Sequence, residues 1–174
     1  MSIEIDVLNG AASWTTVEPL HNAVWPREAA CKPFRPIKWA HADLRVLIDA
    51  PEGGLACHAG IYFRTITWNG HKIHVGGIGG VMTREDCRRR GYATLALDAA
   101  VQTIRANDAA RFALLVCEDH NIAFYRARGW HAFDGEVYCE QPGGRIRFDL
   151  MAPFVFDIKP APRKGVIDLD GLPW

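Results

Sequence analysis

The stretch Thr83-Arg84-Glu85-Asp86-Cys87-Arg88-Arg89-Arg90-Gly91-Tyr92-Ala93-Thr94 joins a run with strand alternation to a run with helical period. A helix opened at Gly91 presents backbone N–H groups without intrahelical partners, together with the positive end of its dipole, and the two bind anions. Gly91 lets a bound group approach the backbone closely, and Ala93 keeps the next turn small. Arg88, Arg89 and Arg90 oppose that dipole by roughly 0.3–1 kcal/mol each at exposed sites. A solvated arginine cluster therefore explains the stretch less well than an anion that offsets the cost, and the chemistry it suits is recognition of a diphosphate.

Other phosphate-binding patterns fail. His74-Val75-Gly76-Gly77-Ile78-Gly79-Gly80 suggests a dinucleotide fingerprint, but Met82 stands where the third glycine belongs and a charged loop follows instead of a helix. No Gly-Lys-Ser/Thr makes a P-loop. These glycines mark a strand whose side chains must be small, for a bulge, for a ligand lying against it, or for packing alone.

The elements that would position this loop follow from periodicity. Ile3–Leu8 alternates as a strand, and Ser13–Val24 reads as a helix with Pro19 inside and Pro26 closing it. The residues from Lys32 to Ala42, with Pro33 and Pro36, read as a loop able to line a substrate entrance. Asp43–Asp49, Leu55–Trp68 and Lys72–Met82 form an antiparallel meander, and the Asn69-Gly70 break is a strong hairpin signal. After Gly91, Leu97, Val101 and Ile104 share one face of an amphipathic helix ending near Asn107-Asp108. Arg111–Cys117 reads as a buried strand, Asn121–Arg128 as a short helix stopped by Gly129, and Trp130–Cys139 and Arg145–Phe156 as two further strands. A strand, helix, strand crossover in the second half with helices on both faces gives an α+β, mixed α/β architecture.

The 174 residues, 49% of them hydrophobic, suffice for one domain with a sizeable core. We read 1–174 as that domain, with 157–174 an extended tail. Lysine plus arginine equals aspartate plus glutamate at 20 each, which gives the chain no overall attraction to nucleic acid or an anionic membrane. The five cysteines, Cys31, Cys57, Cys87, Cys117 and Cys139, lack C-x-x-C spacing, so no metal is expected and a reducing compartment is. With no signal-peptide pattern and no apolar run of about 20 residues, a soluble cytoplasmic protein is expected.

Arg88-x-x-Gly91-x-Ala93 resembles the (Gln/Arg)-x-x-G-x-(G/A) signature of GNAT N-acetyltransferases and lies between a strand and a helix, where that family places it. Asn121-Ile122-Ala123-Phe124-Tyr125-Arg126-Ala127-Arg128-Gly129-Trp130 resembles, in compressed form, the family's N-x-x-A-x-x-(L/F)-Y-x-x-x-G-(F/W) element. The resemblance covers roughly residues 40–140. It implies a mixed, mostly antiparallel sheet of about six to seven strands flanked by about four helices, acetyl-coenzyme A as donor, a small-molecule primary amine as acceptor, and a homodimer. It also places the cofactor against Val81, Met82 and Thr83 of the strand, against Arg88, Arg89, Arg90, Gly91, Tyr92, Ala93 and Thr94 of the loop and helix start, and against Asn121 and Phe124. Tyr125 matches the tyrosine that protonates the departing thiolate.

Where relatives often carry a glutamate on the central strand, this chain has Gly79. The base is left among Glu118, Asp119, His120, His74 and water. The residues Asp168-Leu169-Asp170-Gly171-Leu172-Pro173-Trp174 resemble the end of aminoglycoside 2'-N-acetyltransferases, whose terminal tryptophan brings its α-carboxylate to the substrate. That likeness implies substrate contacts for Asp168, Asp170 and Trp174, a catalytic part for Trp174, and a cationic aminosugar or polyamine as acceptor. Two other readings stay open: a coenzyme A-binding sensor in which Gly79 marks lost catalysis, and an enzyme using a longer acyl donor.

Overall fold

A computed structural model describes residues 3–26 and 33–174. Cys31 and the first residue of the Lys32–Ala42 loop lie outside the described residues. The order is β1 (Ile5–Asn9), α1 (Trp14–Val24), β2 (Leu44–Asp49), β3 (Leu55–Trp68), β4 (His71–Thr83), α2 (Tyr92–Ala106), β5 (Ala113–Cys117), α3 (Ile122–Arg126), β6 (His131–Ala132), β7 (Asp134–Gln141), β8 (Gly144–Arg147), β9 (Ala152–Phe156) and β10 (Lys164–Asp168). Short 3₁₀ turns at Glu85–Cys87 and Asp119–Asn121 precede α2 and α3.

All the described strands join one mixed sheet in the order β6-β9-β5-β4-β3-β10-β7-β8, with β1 and β2 branching from β3. The pairs β4–β5 and β10–β7 are parallel and the others antiparallel. The parallel pair β4–β5 needs a crossover, and α2 supplies it. Asn69 at φ 45° and Gly70 at φ 82° both take the left-handed conformation that the tight β3–β4 hairpin requires.

The expected class holds, while the element counts are corrected to ten strands and three α-helices among the described residues. Each strand expected at 130–139 and 145–156 is two, because the chain changes partners midway: β6 pairs with β9, whereas β7 pairs with β8 and β10. The stretch read as a tail contributes β10, wedged between β3 and β7.

Two hydrophobic layers cover the sheet. On one face α2 and α3 bury Ile61, Ile78, Leu97, Ile104, Leu115, Tyr125 and Trp130. On the other lie Tyr62, Ile66, Val75, Leu114, Val137, Leu169 and Trp174, flanked by the α1 contacts of Val17 and Leu20 with Leu47 and Met82. Among the described residues no helix is long and apolar enough to cross a membrane.

Candidate active site

Strands β4 and β5 pair only at Gly76–Ala113 and Gly77–Leu114. β4 then continues to Thr83 and β5 to Cys117 without further pairing, so the sheet opens into a splay whose edges carry backbone groups for a guest. Within the same stretch the β3–β4 register skips: Gly60 faces Gly79 and His58 faces Met82, leaving a bulge in β4 with Gly80 at φ 60°.

At the far end of β4 the chain makes the turn Glu85–Cys87, passes Arg89 at φ 62° and enters α2 through Gly91 at φ 86°. Glycine is needed here for backbone conformation, since a Cβ would meet nothing within 4 Å. No side chain caps the helix, and Leu95 N–H donating to Gly91 O (3.1 Å) is the first bond of its ladder. The amides of Tyr92, Ala93 and Thr94 therefore point outward without intrahelical acceptors. Arg84 is spent on Asp86 (2.7 Å) and Glu52 (3.3 Å), and Arg90 reaches Glu52 at 3.5 Å. The Arg88 guanidinium donates to Thr83 O (3.4 Å), and among the described residues neither it nor Arg89 has a carboxylate partner. Arg128 joins the two helix starts: it donates to Thr94 Oγ1 (2.9 Å) and Phe124 O (2.7 Å) and lies 3.6 Å over the Phe124 ring. Asn121 stands at the N-cap of α3 without a side-chain cap bond.

Tyr125 is buried in the α2–α3 layer, edge-on to Phe124 and Trp130. Burial pushes its phenol well above the ordinary tyrosine range, with nearby Cys117 adding and Arg128 opposing. Such a group stays protonated and suits an acid. Its hydroxyl makes no hydrogen bond to the described residues.

The candidate bases do not gather around it. Glu118 pairs with His120 at 3.7 Å on the surface. His74 lies on the hairpin side of the splay, 3.3 Å from Thr65 Oγ1 and stacked on Phe63. Asp119 begins the turn after β5.

Trp174 occupies the opposite face. Its indole N–H donates to Leu114 O (3.1 Å), on the strand bordering the splay, and its ring stacks on Tyr62 at 5.7 Å. A Cβ at Gly77 would collide with the indole, and one at Gly79 would stand 2.7 Å from the main-chain carbonyl carbon of Trp174. On the other face of the same strand, a Cβ at Gly76 would strike Ile104 of α2. The glycine run thus admits a helix on one side and a tryptophan on the other. Arg64 holds the turn before Trp174, donating to Leu172 O (2.7 Å) and Leu169 O (3.3 Å) and lying 5.0 Å over the indole.

Asp168 pairs with Arg145, and Asp170 accepts from Lys72 Nζ (2.8 Å) and Thr67 Oγ1 (2.7 Å). Neither carboxylate is free: each is held in an ion pair with a basic side chain. Residues missed from the sequence are Tyr62 and Arg64, whose strand alternation said only that they alternate, and the buried pair Arg45 and His58. The glycines at 77 and 79 were the one signal that something large lay opposite.

A sequence profile described as an acetyltransferase (GNAT) domain matches residues 13–133. An aminoglycoside 2'-N-acetyltransferase of Mycolicibacterium fortuitum is 30% identical over 116 residues, a match that takes in 66% of this chain and 58% of that relative. Among solved structures, Escherichia coli ElaA aligns with a TM-score of 0.63 at 17% identity over 90% of this chain and all 100% of that one. The E. coli GNAT family N-acetyltransferase YhbS, solved in complex with CoA, aligns at 0.64 and 13% identity over 98% of this chain and 94% of its own. Arabidopsis thaliana NAA60, solved with acetyl-CoA, aligns at 0.61 and 14% identity over 90% of this chain and 99% of its own. At these identities the structural likeness establishes the fold.

Proposed function

This chain belongs to the GNAT acetyltransferase family, and on that premise we propose that it acetylates a primary amine of a small cationic molecule, an aminosugar of the aminoglycoside class, with acetyl-coenzyme A as donor. The observation that carries the reading is the splay itself: an anion-binding helix start at one end, a protonated tyrosine on one face and Trp174 on the other.

The residues present fit the donor. The amides of Tyr92, Ala93 and Thr94 have no intrahelical acceptors and no side-chain cap, and Arg88 and Arg89 have charge to spare for a diphosphate, with Arg90 beside them. The backbone of Val81, Met82 and Thr83, on the part of β4 that β5 leaves unpaired, offers groups that can hydrogen-bond a pantetheine amide. Phe124 and Asn121 flank the same side from α3. Acetyl-coenzyme A supplies the acyl group as a thioester.

The roles of this chain's groups then follow from their places. A backbone N–H at Val81 or Met82 polarises the thioester carbonyl as the amine attacks and the new C–N bond forms. Tyr125 O–H gives its proton to the sulfur as the C–S bond breaks. The amine proton passes to water beside Gly79, the position where related enzymes carry a glutamate and where the Trp174 main chain packs. Glu118, paired with His120 at the surface, is the remoter alternative. Asp168 and Asp170 act as fixed ion pairs that hold the turn leading to Trp174.

What supports catalysis over a binding-only protein is the reason for Gly79: the position is small because Trp174 needs the room. The test is calorimetry with acetyl-coenzyme A followed by a thiol-release assay over a panel of amines including aminoglycosides. Binding with turnover of aminosugars supports the reading. No heat and no thermal protection overturn it, and binding without turnover of any amine favours the sensor.

A further inference from the structure

Arg45 and His58 are both buried in the sheet face that carries Trp174 and α1, and among the described residues Arg45 has no carboxylate partner. Burying a guanidinium without an acid is costly, and an apolar pair would fill the space at less expense. Their hydrogen bonds indicate what they are for. Arg45 Nη1 lies 2.9 Å from His58 Nε2, its Nε donates to Gly10 O (3.0 Å), and the guanidinium sits 5.0 Å over the Trp14 ring. Arginine can only donate, so Nε2 is the acceptor and the imidazole carries its hydrogen on Nδ1. That Nδ1–H donates to Gly80 O at 2.7 Å.

Gly80 is the positive-φ residue of the β4 bulge, where the β3–β4 register skips. His58 belongs to β3, so a β3 side chain supplies the donor at the point of irregularity. In a planar trans peptide the N–H points opposite to the C=O. A Gly80 carbonyl turned toward the His58 imidazole, on the α1 and Trp174 face, therefore turns the Val81 N–H away from that face, toward the side that carries Tyr125.

We propose that Arg45 and His58 are positioning residues for acyl transfer: Arg45 locks the imidazole tautomer, and His58 holds the Gly80–Val81 peptide with its N–H aimed at the thioester carbonyl. The inference rests on the acetyl-transfer reading above. Neither residue touches the reacting atoms. They set the orientation of a backbone donor that would otherwise be free to flip at a glycine.

The test begins with the unliganded protein. The ¹⁵N resonances of His58 should report hydrogen on Nδ1, and the Val81 amide resonance should move in His58→Gln. The glutamine places an acceptor near Arg45 but no donor at Gly80, whereas His58→Asn keeps a donor at the δ position. With acetyl-coenzyme A labelled at the acetyl carbonyl, the downfield shift of the bound thioester ¹³C should shrink in His58→Gln and return in His58→Asn. Turnover with an accepted amine should fall about 10- to 100-fold in His58→Gln, with donor Kd within about twofold of wild type, and recover most of that loss in His58→Asn. Hydrogen found on Nε2, or equal losses in the two variants that track their Tm, would overturn the proposal. Wild-type protein that binds no acetyl-coenzyme A fails the functional reading itself, whereas active wild type with an unaltered His58→Gln fails only this inference.

Discussion

On the α2 face, the proposed diphosphate end of the site comes from residues adjacent in the chain: Arg88, Arg89 and Gly91 lie within one turn, and left-handed backbone at Arg89 and Gly91 sets the entry into the helix. On the opposite face, Trp174 meets Gly77, Gly79 and Tyr62 from the other end of the sequence, held by Arg64 and by the neighbouring strand β10. The first kind of site is written in local spacing. The second exists only after the sheet has assembled, so it can be broken from either partner. The difference predicts that lesions at the glycines should separate by face even where their steric insult is equal.

Gly76→Ala and Gly77→Ala make the largest such contrast. Each adds a methyl group where no space exists, against Ile104 in one case and the Trp174 indole in the other. Both should lose about 1–3 kcal/mol of stability to overpacking. Only Gly77→Ala should displace Trp174 and lower kcat/KM for the amine by about 10²-fold or more, with donor Kd unchanged. Urea unfolding beside steady-state kinetics checks both, and equal kinetic losses in the two variants would remove Trp174 from the acceptor side.

Tyr125→Phe comes next. If the phenol is the acid, turnover falls about 10²-fold while acetyl-coenzyme A binds as before. A fall in donor affinity matched to the fall in turnover would make Tyr125 a wall of the site and nothing more.

Legibility divides along the same line. The hairpin at Asn69-Gly70, the crossover helix and its glycine-opened entry were readable because each depends on the φ preference or period of neighbouring residues. β10 was not: Lys164-Gly165-Val166-Ile167-Asp168 has little alternation, and it is a strand because β3 and β7 leave a slot for it. The breaks near Phe133 and after Arg147 were equally hidden, since they mark a change of neighbour and no helix or turn signal accompanies them. Arg45 and His58 looked like two polar residues in alternating strands, and their bond joins positions that only the β2–β3 register brings together.

The two faces should also differ in how they respond to pH. Burial lowers the His58 pKa to about 4, with Arg45 and His21 adding to the effect and the Gly80 carbonyl opposing it. A depressed histidine contributes no loss above the unfolded value of about 6.5, and stability then falls as pH drops from there toward about 4, by about 3 kcal/mol for this group. Tyr125 works in the other direction: its raised pKa leaves stability intact below pH of about 10 and costs it above, where the unfolded phenol ionises. Urea midpoints at pH 7 and pH 5 should therefore separate, and His58→Asn should flatten that part of the profile. An unchanged slope would assign the acid sensitivity to other groups.

The smallest expected effect decides what the acidic residues before Trp174 do. Asp170 is bonded to Lys72 and Thr67, and its pKa lies below the usual carboxylate range; burial works against that, and the Lys72 and Thr67 hydrogen bonds outweigh it. Lys72 is largely exposed, so the pair is worth at most about 1 kcal/mol. Asp170→Asn keeps an acceptor for Thr67 and should change stability within that limit. If the carboxylate serves as an anchor for the turn, the KM for a polycationic amine should stay within about twofold, because the charge it loses was already neutralised by Lys72. A direct contact with a substrate ammonium group would instead raise KM by about tenfold, the loss expected for one charge-assisted hydrogen bond. That larger rise would extend the acceptor site from the Trp174 layer to the turn that follows β10.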